Sequence, residues 1–315
     1  MTTVVLLLAL LAWSGLRSAA PVATGPVPTP QTTAASPATA TPAPADDVAA
    51  VTAAGPSGGL KVGFRASVYG VTPTPSPDYW YRVGSDARSK FSGSGVQGIW
   101  VIGCYLDDGR CYLNFPSSAS YSSITFADTD ENEAYLDYFD RVGLPVYLQV
   151  EPGQASVEDL IQLVLDRYGK HRCVCGFGVD VEWYQARAYS GGRPVTDSEA
   201  AAWYRLVSSY NKSYRLFLKH YSADWMPPSY RTGIYFIDDS MGFSSLDAMV
   251  DEFARWRDHF SGSPVGFQIG YQEDKGWWSR YPDPLGTIGR ALLEQVPDTE
   301  GIYWVDFSVE DLYPA

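Results

Sequence analysis

The sequence predicts a single (β/α)8 barrel, α/β in class, over residues 60–315, and three observations predict it. Eight apolar runs of strand length recur along that region. Segments with helical spacing and helix-start signals stand between most of them. The ionisable residues of the runs gather at their carboxyl ends, where barrels of this kind keep their chemistry. The length also suits, since about 250 residues is usual for one such barrel.

The runs are residues 61–67, 98–103, 145–151, 174–182, 215–221, 233–238, 264–271 and 301–307. Parallel strands covered on both faces read as near-continuous apolar stretches, as these do. Helices are predicted over 131–142, 156–168, 196–210, 245–260 and 284–296. Thr196-Asp-Ser-Glu199 is a capping box, which places a helix start firmly. Only 222–232, containing Pro227-Pro228, separates the fifth and sixth strands, and few residues follow the eighth. Reduced helices are therefore predicted after strands 5 and 8. Asn211-Lys-Ser213 is a glycosylation sequon at a helix end, hence predicted to be exposed.

The chain before the barrel has another character. Residues 1–20 read as a secretory signal: an apolar run over 4–13, then Arg17 and the small residues Ser18-Ala19-Ala20. That run is too short to span a bilayer stably, so no membrane span is expected after cleavage, although an uncleaved anchor stays open. Residues 21–59 are almost wholly Pro, Thr, Ala, Ser and Gly, the composition of an extended, disordered linker. A secreted or cell-surface location follows as an expectation. The net charge of −13 argues against nucleic acid, which basic patches attract. Ten Trp and 22 Tyr suit a core, and also suit stacking on sugar rings. Cys104 and Cys111 flank an Asp-Gly turn and are expected to form a local disulfide. Cys173 and Cys175 are expected to be buried thiols. No metal or cofactor is expected, because the three histidines are dispersed and no Walker loop or dinucleotide fingerprint occurs. A monomer is expected.

The fourth run ends in two acids, Asp180 and Glu182. Side chains alternate along a strand, so the two are predicted to share a face, with Cα atoms about 6.5–7 Å apart. A buried ionised carboxylate is costly unless it is paired or put to use. Other strand ends offer Arg65, Glu151, Lys219, His220, Asp238, Asp239, Gln268, Gln272, Trp304 and Asp306. No Gly-x-Ser-x-Gly elbow and no Cys beside a His is present. Carboxylates with tryptophans at one rim point to glycoside chemistry.

Gly176-Phe-Gly-Val-Asp-Val-Glu-Trp183 resembles the fourth-strand signature Asp-x-x-Asp-x-Asp-x-Glu of glycoside hydrolase family 18, the chitinase-like enzymes. The last Asp-x-Glu is kept as Asp180 and Glu182, while Cys175 and Gly178 stand where earlier acids would fall. Trp304 is similar to the tryptophan that floors that family's sugar pocket. Family 25 lysozymes, a weaker resemblance, also carry Asp-x-Glu on a barrel strand but have an acid on the first strand, where this chain has Arg65. The family-18 resemblance implies Glu182 as the general acid and Asp180 as the residue orienting the substrate's own 2-acetamido group. Without that group a second protein carboxylate is needed, and Glu151, Asp238, Asp239 and Asp306 are the candidates.

Substrate contacts are expected from Glu151, Trp183, Lys219, His220, Asp238, Asp239, Gln268, Gln272, Trp304 and Asp306. The leading reading is a secreted hydrolase of a polysaccharide or cell-wall glycan. A non-catalytic glycan-binding barrel is the alternative, and a metal hydrolase using Asp180, Glu182 and Asp238 or Asp239 is a third. In the binding barrel the acids should be tied up by Lys219 or Arg65. A metal enzyme should bring three oxygens around one point. The stretch Ile237-Asp-Asp-Ser240 reads either as a binder of sugar hydroxyls or a cation, or as a helix-capping or loop-fixing pair of acids. The loop Gln272-Glu-Asp-Lys-Gly-Trp-Trp278 reads either as a stacking platform or as cover for a helix.

Overall fold

The computed structural model describes residues 59–187 and 191–314. The expected signal segment, 1–20, and all of the expected linker, 21–59, except Gly59 lie outside the described residues. The barrel strands are β1 (Lys61–Ala66), β2 (Gly95–Tyr105), β5 (Val146–Val150), β6 (Val174–Asp180), β7 (Arg215–Lys219), β8 (Ile234–Asp238), β9 (Val265–Ile269) and β10 (Thr299–Val305). Each pairs in parallel with the next in that order, and β1 pairs with both β2 and β10, which closes the barrel. Two further strands, β3 (Cys111–Leu113) and β4 (Ile124–Phe126), extend the sheet outside it; β3 runs antiparallel to the last three residues of β2.

All eight predicted barrel strands are present within a few residues of their expected bounds. The helices are α1 (Pro77–Ser89), α2 (Glu133–Val142), α3 (Val157–Tyr168), α4 (Asp197–Tyr210), α5 (Leu246–His259), α6 (Lys275–Trp278), α7 (Pro284–Gln295) and α8 (Val309–Leu312). The capping box at α4 forms in full: Thr196 Oγ1 accepts from Glu199 N at 3.3 Å, and Glu199 Oε2 accepts from Thr196 N at 2.9 Å. After β7 there is only a 3-10 turn, Ala223–Trp225, and after β10 only the four-residue α8, so the reduced fifth and eighth helices are observed. Helix α1 has no counterpart among the predicted elements. It nonetheless carries Pro at its first turn and buries Tyr79, Trp80, Val83, Gly84 and Ala87 on one face.

Alternation along the strands sorts side chains into two apolar layers. Ile99, Tyr147, Phe217, Tyr235, Ile237 and Tyr303 fill the barrel interior. Val62, Phe64, Leu148, Phe177, Phe236, Phe267 and Trp304 face outward, into the layer shared with the helices. Gly178 faces inward because Phe217 needs its place: a Cβ there would fall 1.9 Å from the Phe217 ring. The acid that the family-18 signature carries at this position has no room. Gly178→Ala is expected to destabilise the fold by about 1–3 kcal/mol through overpacking, read from urea denaturation.

The expected Cys104–Cys111 disulfide is absent; both are buried free thiols. The register explains why. Cys104 lies opposite Tyr112, and Cys111 opposite Tyr105. Opposed residues of an antiparallel pair share a face, and neighbours along one strand do not, so the two thiols point to opposite sides of the ribbon. Thiol titration of the unreduced, denatured chain should count all four cysteines. A count of two would reverse this correction.

Candidate active site

The carboxyl ends of the barrel strands hold two buried cations, each shared by two acids. Lys219, at the end of β7, stands beside Asp180 at the end of the neighbouring β6, with Nζ 2.9 Å from Oδ2. The same ammonium contacts Asp239, just past β8. Across the mouth, Arg65 on β1 places Nη1 2.8 Å from Asp306 Oδ1 and Nη2 3.4 Å from Glu151 Oε1. Tyr69 donates to Glu151 and contacts the same guanidinium, while Tyr105 N donates to Glu151 Oε2 at 2.9 Å. Ser67 N and Oγ both donate to Asp306 Oδ2, at 2.5 and 2.6 Å. These ion pairs are almost fully removed from water, so each charge depends on its partner.

Glu182 differs from the other acids. The strand ends at Asp180, and Val181–Trp183 forms a 3-10 turn, so the predicted strand alternation of the two acids does not hold. Asp180 points into the barrel mouth from the strand; Glu182 rides above it on the turn, half-buried. Among the described residues no hydrogen bond or ion pair reaches the Glu182 carboxyl. Removal from water, and then the negative charge of Asp180, push its pKa up to about 8. Burial also raises Asp180, against the pull of Lys219. The arrangement leaves one carboxyl of raised pKa, without a partner among the described residues, over a cluster of paired acids.

Aromatic rings stand around the mouth. Trp183 stacks on Tyr105 with centroids 4.5 Å apart, and Tyr69 stacks on Phe307 at 5.9 Å. His220 lies between Tyr221 and Trp225, at 4.2 and 4.5 Å. Its Nδ1 accepts from Ser222 N at 2.8 Å, and burial lowers its pKa to about 4, so the ring stays neutral and carries its proton on Nε2. Several buried polar atoms find no protein partner: Nε2 and Oε1 of Gln149, Nε2 of Gln268 and of His220, and Oδ1 of Asp180 and of Asp239. Such groups are normally satisfied, so a cluster of them at one barrel end is where ligand hydroxyls or water would bond.

The structure brings Asp180, Glu182, Glu151, Trp183, Lys219, His220, Asp239, Gln268 and Asp306 to this mouth, and removes three predicted contacts. Asp238 follows interior Ile237 and so faces outward. Fully buried, it accepts from Ser240 N at 2.8 Å and is a loop-fixing residue. Trp304 follows interior Tyr303 and also faces outward, with its ring 5.2 Å from that of Trp278 and its Nε1 donating to Ser308 Oγ at 2.9 Å. It floors no pocket. Gln272 is exposed and donates to Phe307 O at 2.8 Å, tying its loop to the end of β10. The loop tryptophans are likewise structural: Trp278 is buried and donates to Tyr271 O, and Trp277 donates to Phe243 O.

Several participants had no place among the predicted contacts, among them Ser67, Tyr69, Tyr105, Gln149, Trp225 and Phe307. Gln149 was the legible one, being the single polar residue of the run that forms β5. The acids of the mouth do not converge as three metal ligands. Lys219 stands between Asp180 and Asp239. A cavity of about 510 Å³ lies elsewhere, lined by Lys90, Trp278, Asp283 and Tyr313 among others, and includes none of these residues.

No protein-family model matches the sequence, and no curated protein matches it. Solved structures do resemble the fold. The chain is similar to a β-glucuronidase from Parabacteroides merdae, at 11% identity and a TM-score of 0.45, over 78% of this chain and 31% of that one. It is also similar to an endoglucanase from Pseudomonas stutzeri, at 14% identity and a TM-score of 0.45, over 80% and 88% of the two chains. An endocellulase from Pyrococcus horikoshii resembles it at 13% identity and a TM-score of 0.45, over 78% and 84%. The chain spans only 31–37% of the length of the first β-glucuronidases it matches. These are distant likenesses of overall fold.

Proposed function

We propose that this barrel is a glycoside hydrolase in which Glu182 protonates the leaving glycosidic oxygen. The observation that carries the reading is the state of Glu182: unpaired, half-buried at the barrel mouth, and with its pKa raised to about 8. A general acid has to hold its proton at working pH and yet give it up to a group within reach. The aromatic pair Tyr105–Trp183 offers ring faces beside that carboxyl for stacking on a sugar. Asp180 then serves in one of two ways. With a 2-acetamido substrate, as the family-18 resemblance implies, it orients the acetamido group. With another substrate a protein carboxylate must act opposite Glu182, and Glu151 and Asp239 are the two whose charges act on it from within the mouth. Asp238, turned outward, leaves that set, and Asp306 is taken up by Arg65 and Ser67. Export, inferred from residues 1–20, would put a polysaccharide or cell-wall glycan within reach.

One observation favours the second reading, a glycan-binding barrel without turnover. Asp180, Asp239, Glu151 and Asp306 are all engaged by Lys219 or Arg65. A hydrolysis panel separates the two. Chitin oligomers, peptidoglycan, and neutral and galactosamine-containing polymers are incubated with the wild type and Glu182→Gln. Turnover by the wild type alone supports the enzyme. Full activity in the variant sinks the role of Glu182, and tight binding with no turnover selects the binding barrel.

A further inference from the structure

The outer face of the barrel carries a second set of ligand-type side chains. Glu133 and Asp137 are i and i+4 on α2, hence one above the other on the same helix face. His171 lies in the turn before β6, at the end of that strand opposite Asp180. One ligand atom from each of the three comes within 4.8 Å of the other two, and among the described residues no other three His, Cys, Asp or Glu side chains converge in this way.

The histidine is held in a particular orientation. Asp140 Oδ1 accepts from Cys173 N at 2.6 Å, which anchors that carboxylate. Its Oδ2 lies 3.0 Å from His171 Nδ1, so Nδ1 carries a proton and donates it. A carboxylate on one imidazole nitrogen fixes the tautomer and makes the other nitrogen a better ligand. That other nitrogen, Nε2, belongs to a residue 5% exposed and makes no hydrogen bond. The Glu133 carboxylate stands 3.5 Å from it. Asp137 Oδ1 lies 4.0 Å from Nδ1, so the two α2 carboxylates flank the ring, and Nε2 is a buried ring nitrogen without a hydrogen-bond partner beside them.

We propose that Glu133, Asp137 and His171 form a divalent-metal site, with zinc the fitting ion, that ties α2 to the turn feeding β6. One imidazole nitrogen and two carboxylate oxygens are zinc ligands, and water completes a tetrahedron. Calcium would ask for six or more oxygens, which this corner does not offer. Ligand atoms around zinc sit about 3.4 Å apart, so the carboxylates close in by about 1 Å. Both have the freedom to move, with side chains 37% and 57% exposed. The Lys170 ammonium, 2.6 Å from Glu133, occupies part of the position in the metal-free chain and is a built-in competitor.

Zinc titration of the full chain tests this, read by calorimetry and by thermal denaturation with and without EDTA. One equivalent should bind, and Tm should rise reversibly. Asp137→Asn, at an exposed side chain, should leave the metal-free Tm unchanged and weaken zinc binding roughly tenfold or more. Lys170→Gln should strengthen it. No binding by the wild type overturns the site, as does binding undiminished in both Asp137→Asn and Glu133→Gln. A larger Tm rise with calcium or magnesium than with zinc overturns the choice of ion.

Discussion

Glu182→Gln is expected to lower kcat on any substrate the wild type turns over by about 10²–10⁴-fold, the usual contribution of a positioned general acid. KM should change little, because the amide keeps the shape of the side chain and no partner in the protein is lost. The pH profile gives a second readout. A general acid works while it holds its proton, so wild-type activity should fall on the alkaline side as pH rises through about 8. The Glu182 term in stability should fall over the same direction of pH. Between the ordinary carboxyl range and about 8, the folded chain holds this proton and the unfolded chain has lost it, so the Glu182 term lowers stability as pH rises. Glutamine has no such term. The variant should therefore melt near the wild type at pH 5 and above it at pH 8, by differential scanning calorimetry. An equal difference at both pH values would mean that Glu182 titrates normally.

Lys219→Met is expected to be the most destabilising single change at the mouth. Lys219 neutralises Asp180 and Asp239, whose side chains are each 2% exposed. Removing one partner of a buried ion pair leaves uncompensated charge and costs about 3–5 kcal/mol. For a domain of this size that is a drop in Tm of roughly 10 °C. Chemical denaturation at pH 7 measures it. Adding Asp239→Asn to Lys219→Met should recover part of the loss, because one of the stranded charges is then gone. A loss below about 1 kcal/mol would show that the lysine is not what compensates these acids.

The barrel was legible because each strand is a run of residues with nowhere to go but a covered sheet. Its mouth was only half legible, and two residues show why. Asp238 and Trp304 were placed at the mouth by lying at carboxyl ends of strands, but which way an end residue points depends on the phase of alternation. That phase is set by neighbours such as Ile237 and Tyr303, which fill the interior. Glu182 was read as a strand residue, and the 3-10 turn at Val181–Trp183 lifted it off the alternation altogether. The sharing of Arg65 between Glu151 and Asp306 had no local signal, because register across the closed sheet creates it. The Cys104–Cys111 expectation failed for the same reason: the turn was legible, the register of the ribbon was not. His171 was passed over because its ligand partners lie on a helix more than thirty residues earlier, outside any zinc-like spacing.

Arg65 carries one more consequence, for how the chain reaches its working state. Its two acid partners are 86 and 241 residues away along the sequence. Contacts of such separation form late, since the loop they close must be ordered first. A chain emerging from synthesis holds Arg65 and Glu151 long before Asp306 exists, and β1 waits for β10 to complete its second edge. Until then the first strand has an open edge and a cation with half of its counter-charge. Competence thus arrives only with β10, and a chain that stops short of it should be left to chaperones or proteases rather than fold into a smaller barrel.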